Sequence, residues 1–179
     1  IRDRSPSRGL GDVYKRQFQA GLRCRLFPQA WVWHKRRTDF RKFFRQVYNS
    51  GIARINLYKR HPQSLKPVHL LPMLFTLGVI FLFLTLIWGA ILLVFGQEGM
   101  QRGVGFLLIN TALLPLILYS GALFIDSLRV YRRPRIALLC IAAAFVQLMG
   151  YGFGFLAAWW RRCLLGKDEF AAFEKTFYK

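Results

Sequence analysis

The chain has 179 residues, of which 54% are hydrophobic, and it carries a formal net charge of +19. This combination excludes an ordinary soluble domain and fits a membrane protein whose charges lie outside the bilayer. Three stretches, 70–95, 103–125 and 136–160, contain no Asp, Glu, Lys or Arg. We therefore interpret the net positive charge as an attraction to anionic lipid at the cytoplasmic face, and we expect no nucleic acid partner.

Residues 1–17 have no hydrophobic periodicity and no apolar run that could serve as a signal peptide. They resemble sequence that arises when adaptor DNA at the broken end of a partial gene is translated. We interpret them as non-native and disordered. The native sequence is then expected to begin near Phe18, inside a domain.

Residues 18–37 are predicted to form the end of a helix followed by a strand. Gly21 is a typical helix terminator, Pro28 marks the entry to the strand, and the side chains over 30–34 alternate with a period of two. So short a segment buries too little apolar surface to fold alone, which predicts a partner domain.

Gly21, Pro28 and the triplet Val32-Trp33-His34 resemble the closing segment of a family 2 glycosyltransferase catalytic domain of the GT-A type. In that family a helix ends at a glycine, and the next strand has a proline in its first half and ends at an apolar or aromatic residue followed by His. The segment RTDFRKFFRQVYNSG resembles the interfacial helix of membrane-bound members.

This resemblance covers 18–66 in its motifs and 18–179 in its layout. It implies a multi-pass hexosyltransferase of the bacterial inner membrane that acts in polysaccharide biosynthesis. Such an enzyme transfers a sugar from a nucleotide-sugar donor to a lipid-linked or cell-envelope glycan acceptor at the cytoplasmic face. The family's Asp-x-Asp motif and acidic catalytic base are not in this sequence. We expect both upstream, so that this fragment has no catalytic residue and is inactive alone.

The resemblance also implies a metal ligand. His34 stands where the family often has a third ligand to the Mn²⁺ or Mg²⁺ that holds the donor diphosphate, and imidazole suits Mn²⁺. The alternative is a strand-end histidine that packs against Trp33 or bonds to a carbonyl. Three nearby arginines can contact either a diphosphate or lipid headgroups, and we favour headgroups for most of them: Arg36, Arg37 and Arg41.

The stretch 38–61 has an amphipathic pattern, with apolar residues every three or four positions and Gly51 in the same stripe. It predicts a helix in the membrane plane, capped by Thr38, with Asp39 in its first turn and its end before Pro62. A core helix of the upstream domain is the alternative.

Processive relatives have a Gln-x-x-Arg-Trp motif in this helix that contacts the acceptor sugar. Gln46 matches, but Asn49 and Ser50 stand at the Arg and Trp positions. This departure favours transfer of a single sugar to a lipid-linked acceptor, with Arg45 and Gln46 as acceptor contacts.

The three uncharged stretches exceed the roughly 20 residues that cross a bilayer, so they predict transmembrane helices. Pro115 predicts a kink in the second. Gly150 and Gly154 permit close helix contact, either within the bundle or in self-association. Three polar residues are expected to face neighbouring helices: Asn110, Thr111 and Gln147. The predicted fold class is mainly α: an amphipathic helix and three transmembrane helices, after the remnant of an α/β domain.

The loops predict the orientation. Loop 126–135 has four arginines and is expected to be cytoplasmic, like the N-terminal side, whereas loop 96–102 is expected outside. Three crossings then leave the basic tail, 161–179, outside, where it would have to snorkel; a re-entrant third stretch would bring it back. We favour three crossings.

Two functions from different classes remain. One is the membrane-anchored glycosyltransferase, and the other is a non-enzymatic membrane subunit that binds anionic lipid or an acidic partner. A small transporter is disfavoured because no charged residue lies within the predicted spans.

Overall fold

The computed structural model describes residues 17, 19–23, 27–29, 31, 33 and 39–167, and within these it is mainly helical and has no strand. Three of its helices are long and apolar enough to cross a membrane. The prediction of a mainly α chain with three helices long and apolar enough to span a membrane is thus confirmed, whereas the α/β remnant is not shown. The elements, in chain order, are α1 (Phe40–Arg60), two 3₁₀ turns (Pro62–Ser64 and Pro67–His69), α2 (Leu71–Phe95), α3 (Met100–Tyr131) and α4 (Pro134–Trp159), which a π-helical turn (Trp160–Leu164) extends.

Gly21 has the geometry expected of a helix terminator. Its φ is +73°, and the Leu22 N–H donates to the Gln17 carbonyl over 3.0 Å, the bond that closes a Schellman motif. Of the strand predicted over 30–34, only Trp31 and Trp33 are described. Neither lies in a strand, and their exposed rings meet edge to face at 5.5 Å.

The N-cap of α1 is Asp39, so the prediction of Thr38 as the cap is wrong. Asp39 has an extended backbone, and its Oδ1 accepts a hydrogen bond of 2.8 Å from the Arg41 N–H. A carboxylate at this position satisfies one of the free N–H groups of the first turn and also favours the positive end of the helix dipole. The other end agrees with prediction, since α1 stops at Arg60, two residues before Pro62.

Helices α2 and α3 form an antiparallel hairpin. At one end the rings of Phe75 and Tyr119 are 5.3 Å apart. At the other, a Cβ built on Gly89 would lie 2.9 Å from the carbonyl oxygen of Gly105. The partners in the two contacts are separated by the same number of residues along each helix, so the two helices keep one register throughout.

Helices α3 and α4 meet at a tight corner. Because α3 continues to Tyr131, Asp126 and Arg129 are helical instead of lying in the predicted loop. Arg132 and Arg133 alone connect the helices. Arg132 is left-handed, with φ 53°, and no other non-glycine residue in the described part of the chain has a positive φ. A side chain in this region costs roughly 1–2 kcal/mol.

We expect Arg132→Gly to raise the melting temperature, with a gain of about 1 kcal/mol, because glycine adopts the left-handed conformation without strain. Arg133→Gly is the matched control: it removes the same charge, but from an extended residue with φ −135°. There glycine mainly adds freedom to the unfolded chain and should cost about 0.5–1 kcal/mol. Thermal unfolding in detergent, followed by circular dichroism, gives the comparison. The explanation fails if the two variants melt in the opposite order.

The buried core lies between α1, the second half of α4 and the segment that enters α2. Its almost fully buried members are Ile52, Ile55, Phe155 and Ala158. Partly buried side chains surround them: Tyr48, Leu65, Leu70, Met73, Tyr151 and Cys163. Along the second half of α1, the apolar stripe of this helix is therefore covered by α4.

Glycines bring α1 and α4 into backbone contact. A Cβ on Gly51 would lie 2.7 Å from the Phe155 nitrogen, and a Cβ on Gly154 would lie 2.8 Å from the Tyr48 carbonyl carbon. A Cβ on Gly150 would meet side chains of α1 instead. Close contact within the chain, one of the two alternatives for the Gly-x-x-x-Gly pair, is thus observed.

The polar residues of the apolar helices do not behave as predicted. Asn110 and Thr111 are exposed and donate to carbonyls four residues earlier in their own helix, and Gln147 is exposed. The helix backbone thus accepts the hydrogen bonds of Asn110 and Thr111 without a neighbouring helix. Thr76 makes a polar contact between α2 and α4: it is fully buried, and its Oγ1 lies 3.3 Å from the carbonyl oxygen of Leu148.

Candidate functional site

The exposed start of α1 holds the described residues that were predicted to contact a diphosphate, a headgroup or an acceptor. Arg41, Arg45 and Gln46 lie in its first two turns, and all three are exposed. Helix packing further along fixes the position of these turns, because Gly51 and Ile52 are buried against α4. Guanidinium groups held in this way can form paired hydrogen bonds to phosphate oxygens, and the amide can bond to a hydroxyl.

His34, Arg36 and Arg37 lie outside the described residues. Their roles as metal ligand and as diphosphate or headgroup contacts therefore stay predictions. In the described ranges, no group of three His, Cys, Asp or Glu side chains could hold a metal ion.

A second basic cluster lies where the chain enters α2, and the sequence patterns did not single it out. His69 lies within electrostatic reach of Arg54 and Lys66. Its Nδ1 accepts a hydrogen bond of 3.0 Å from the Lys66 backbone N–H. With Nδ1 as acceptor, the other ring nitrogen carries the proton and can donate. One signal was present in the sequence: Arg54 interrupts the otherwise uncharged stretch 46–58.

Two buried atoms near this entry segment have no hydrogen-bond partner among the described residues: Nε of Arg54 and Oγ of Ser64. Ser64 is only 6% exposed. A buried polar group without a partner costs about 1–3 kcal/mol. Both groups can donate and the nearby charges are positive, so the chemistry favours an anion such as a phosphate oxygen.

A third feature ties the two ends of the described membrane region together. Arg162, in the turn after α4, donates a hydrogen bond of 2.8 Å from Nη1 to Oδ1 of Asn56 on α1. Asn56 is 8% exposed and lies among the buried residues of α1. Periodicity places Asn56 near the edge of the apolar stripe, but nothing in the sequence identifies its partner 106 positions away.

Comparison with known proteins finds no matching protein family, no matching curated protein and no matching solved structure. The resemblance to family 2 glycosyltransferases therefore rests only on the residues that carry it, and it stays a prediction.

Proposed function

We propose that this chain is the membrane-embedded part of a glycosyltransferase of the bacterial inner membrane, which transfers a sugar from a nucleotide-sugar donor to a lipid-linked or cell-envelope glycan acceptor. One observation carries the proposal furthest. Helix α1, with Arg41, Arg45 and Gln46 exposed at its start, directly follows the segment that resembles the end of a catalytic domain and is docked on an apolar helix.

In this proposal the first turns of α1 form the acceptor surface. Arg41 and Arg45 bind the phosphate of a lipid-linked acceptor, and the Gln46 amide bonds to a sugar hydroxyl. The donor site and the base belong to sequence upstream of Phe18. Packing of α1 against α4 holds the acceptor at a fixed height above the membrane, which favours reaction through orientation.

The test has two parts. The genomic reading frame upstream of Phe18 should encode an Asp-x-Asp about a hundred residues earlier, within a βαβ pattern. Membranes containing the full-length protein should then transfer label from nucleotide sugars to lipid or glycan. Arg45→Ala combined with Gln46→Ala should raise the KM for acceptor about tenfold or more. Ser50→Ala, an exposed change on the same helix, should not. A frame without the motif, or no transfer from any donor, would refute the proposal.

His34→Ala in the full-length enzyme is expected to reduce metal-dependent transfer strongly, since His34 is the proposed third metal ligand. Titration of activity with Mn²⁺ gives the measurement. Unchanged activity and metal dependence would remove His34 from the site.

A second candidate function, the binding of anionic lipid by a non-enzymatic membrane subunit, is favoured by the cluster of Arg54, Lys66 and His69. Phosphatidylglycerol added to the purified protein in detergent should raise its melting temperature, while phosphatidylcholine should not. We expect Arg54→Ala to weaken the apparent affinity about tenfold, the size of one charge-assisted hydrogen bond. Lys59→Ala, an exposed cation near the end of the same helix, is the control. Equal stabilisation by both lipids would exclude this function.

A further inference from the structure

We infer that α4 does not cross the membrane, so that the chain crosses twice and its basic tail lies on the same face as α1. The inference is independent of the proposed enzymatic activity. It rests on where α4 begins, on which residues it contacts, and on the charged helix that runs beside it.

Both helices of the α2–α3 hairpin are in contact along their length, and they run in opposite directions. Helix α3 therefore returns to the face from which α2 starts. Since two residues, Arg132 and Arg133, connect α3 to α4, the latter also begins on that face.

The contacts between α4 and α2 show that α4 ends on that face too. The rings of Phe75 and Phe145 are 5.7 Å apart. If α4 ran down through the bilayer beside α2, Phe155 would lie about 15 Å deeper than Phe145, level with residues near 85. Phe155 instead belongs to the buried cluster against which Leu70 and Met73, at the very start of α2, are packed.

Positions of α4 between Phe145 and Phe155 also contact the start of α2. The Leu148 carbonyl is the acceptor for Thr76, and a Cβ on Gly152 would lie 2.6 Å from the Pro72 carbonyl oxygen. Thus α4 advances from residue 145 to 152 while its partners stay within the first turns of α2. It passes across the entrance of the hairpin instead of running along it.

Helix α1 supplies an independent argument. It lies parallel to the second half of α4, with Gly51 against Phe155 and Asn56 bonded to Arg162. An upright α4 would draw α1 into the hydrocarbon, where each central Arg or Lys costs roughly 2.5–3.5 kcal/mol. The cations of α1 are Arg41, Lys42, Arg45, Arg54, Lys59 and Arg60. The penalty is avoided only if this half of α4 lies at the level of the headgroups.

The end of α4 has the composition of a membrane interface. Trp159 and Trp160 are exposed and precede Arg161 and Arg162, and exposed Trp followed by basic residues is typical of the lipid–water boundary. With the tail on the side of α1, the basic segments of the chain all share one face. The conflict with the positive-inside rule that three crossings create therefore disappears.

The test compares sides of the membrane. The native cysteines of the full chain are first replaced by serine. Single cysteines are then introduced into this background by three substitutions: Lys167→Cys after α4, Lys59→Cys on α1 and Gln97→Cys between α2 and α3. All three parent residues are exposed. Intact spheroplasts and inverted vesicles are treated with an impermeant maleimide, and a permeant maleimide after solubilisation measures the total thiol.

We expect the cysteines at 167 and 59 to react from one side, and the cysteine at 97 from the other. Labelling at 167 from the same side as 97 would overturn the inference.

A C-terminal fusion to green fluorescent protein decides the question without cysteine substitution. A fusion truncated after residue 98 is the reference for the far side of the membrane. Fluorescence is expected from the full-length fusion and not from the reference. A full-length fusion that is not fluorescent, although it is expressed in amounts equal to those of a fluorescent cytoplasmic control, would contradict the inference that α4 does not cross the membrane.

Discussion

Gly154→Ala is expected to force α1 away from α4 and to lower the free energy of unfolding by about 1–3 kcal/mol. The added Cβ would lie 2.8 Å from the carbonyl carbon and 3.1 Å from the Cα of Tyr48. These are backbone atoms of a helix, so relief requires the whole helix to shift. Gly51→Ala should act in the same way, because its Cβ would meet the backbone nitrogen of Phe155 at 2.7 Å. The net loss understates the steric penalty, since alanine favours a helix by about 1 kcal/mol over glycine.

Two other glycines serve as controls. Gly78→Ala adds a Cβ with nothing within 4 Å, so it should be neutral or stabilising. Gly150→Ala would meet Cγ2 of Val47 at 2.6 Å, a side-chain tip that can rotate, and should give an intermediate loss. Unfolding in mixed micelles, followed by circular dichroism, ranks the variants, and trypsin cleavage within α1 reports its release. If Gly154→Ala is as stable as Gly78→Ala, α1 does not pack on α4 as described.

Loss of the bond between Asn56 and Arg162 is expected to cost about 1.5–3 kcal/mol, the range for a hydrogen bond to a charged group. Arg162→Ala leaves the buried Asn56 side chain without this donor, and Asn56→Ala leaves the guanidinium without this acceptor. Because each single variant removes the same bond, the double variant should be more stable than the sum of the two losses predicts.

A double-mutant cycle measures this coupling, which we expect to be about 1–2 kcal/mol. Lys167→Ala removes a nearby exposed cation and should leave stability within about 0.5 kcal/mol of the parent chain. Strict additivity of the Asn56 and Arg162 losses would show that the two side chains do not interact.

The helices with a strong periodicity or a long uncharged stretch could be predicted from the sequence. The amphipathic stripe of α1 and the uncharged stretches of α2, α3 and α4 correspond to helices, because spacing and hydropathy determine which faces can be buried. Local sequence was also enough to predict where helices end, at Gly21 and before Pro62. It was not enough to choose the N-cap of α1 between Thr38 and Asp39, since both residue types are good N-caps and only the backbone conformation decides between them.

Tertiary partners could not be predicted in the same way. Hydropathy measures the length of an apolar helix and says nothing of what it packs against, so the course of α4 past Phe75 and Thr76 was not apparent. The burial of Asn56 and the cluster at Arg54 depend on contacts between distant segments. Of the candidate site residues, the exposure of Arg45 and Gln46 agrees with the expected acceptor role without testing it.

The docking of α1 on α4 has a consequence for biogenesis. Asn56 and Arg162 are 106 residues apart, so α1 leaves the ribosome long before its partner exists. At about 5–20 residues per second, the delay is on the order of 5–20 s. During this time the surface of α4 that covers the apolar stripe around Ile52 and Ile55 has not yet been made. Until synthesis of α4 completes the binding site, the nascent helix must therefore be held by lipid, by a chaperone or by the part of the chain that has already been synthesised.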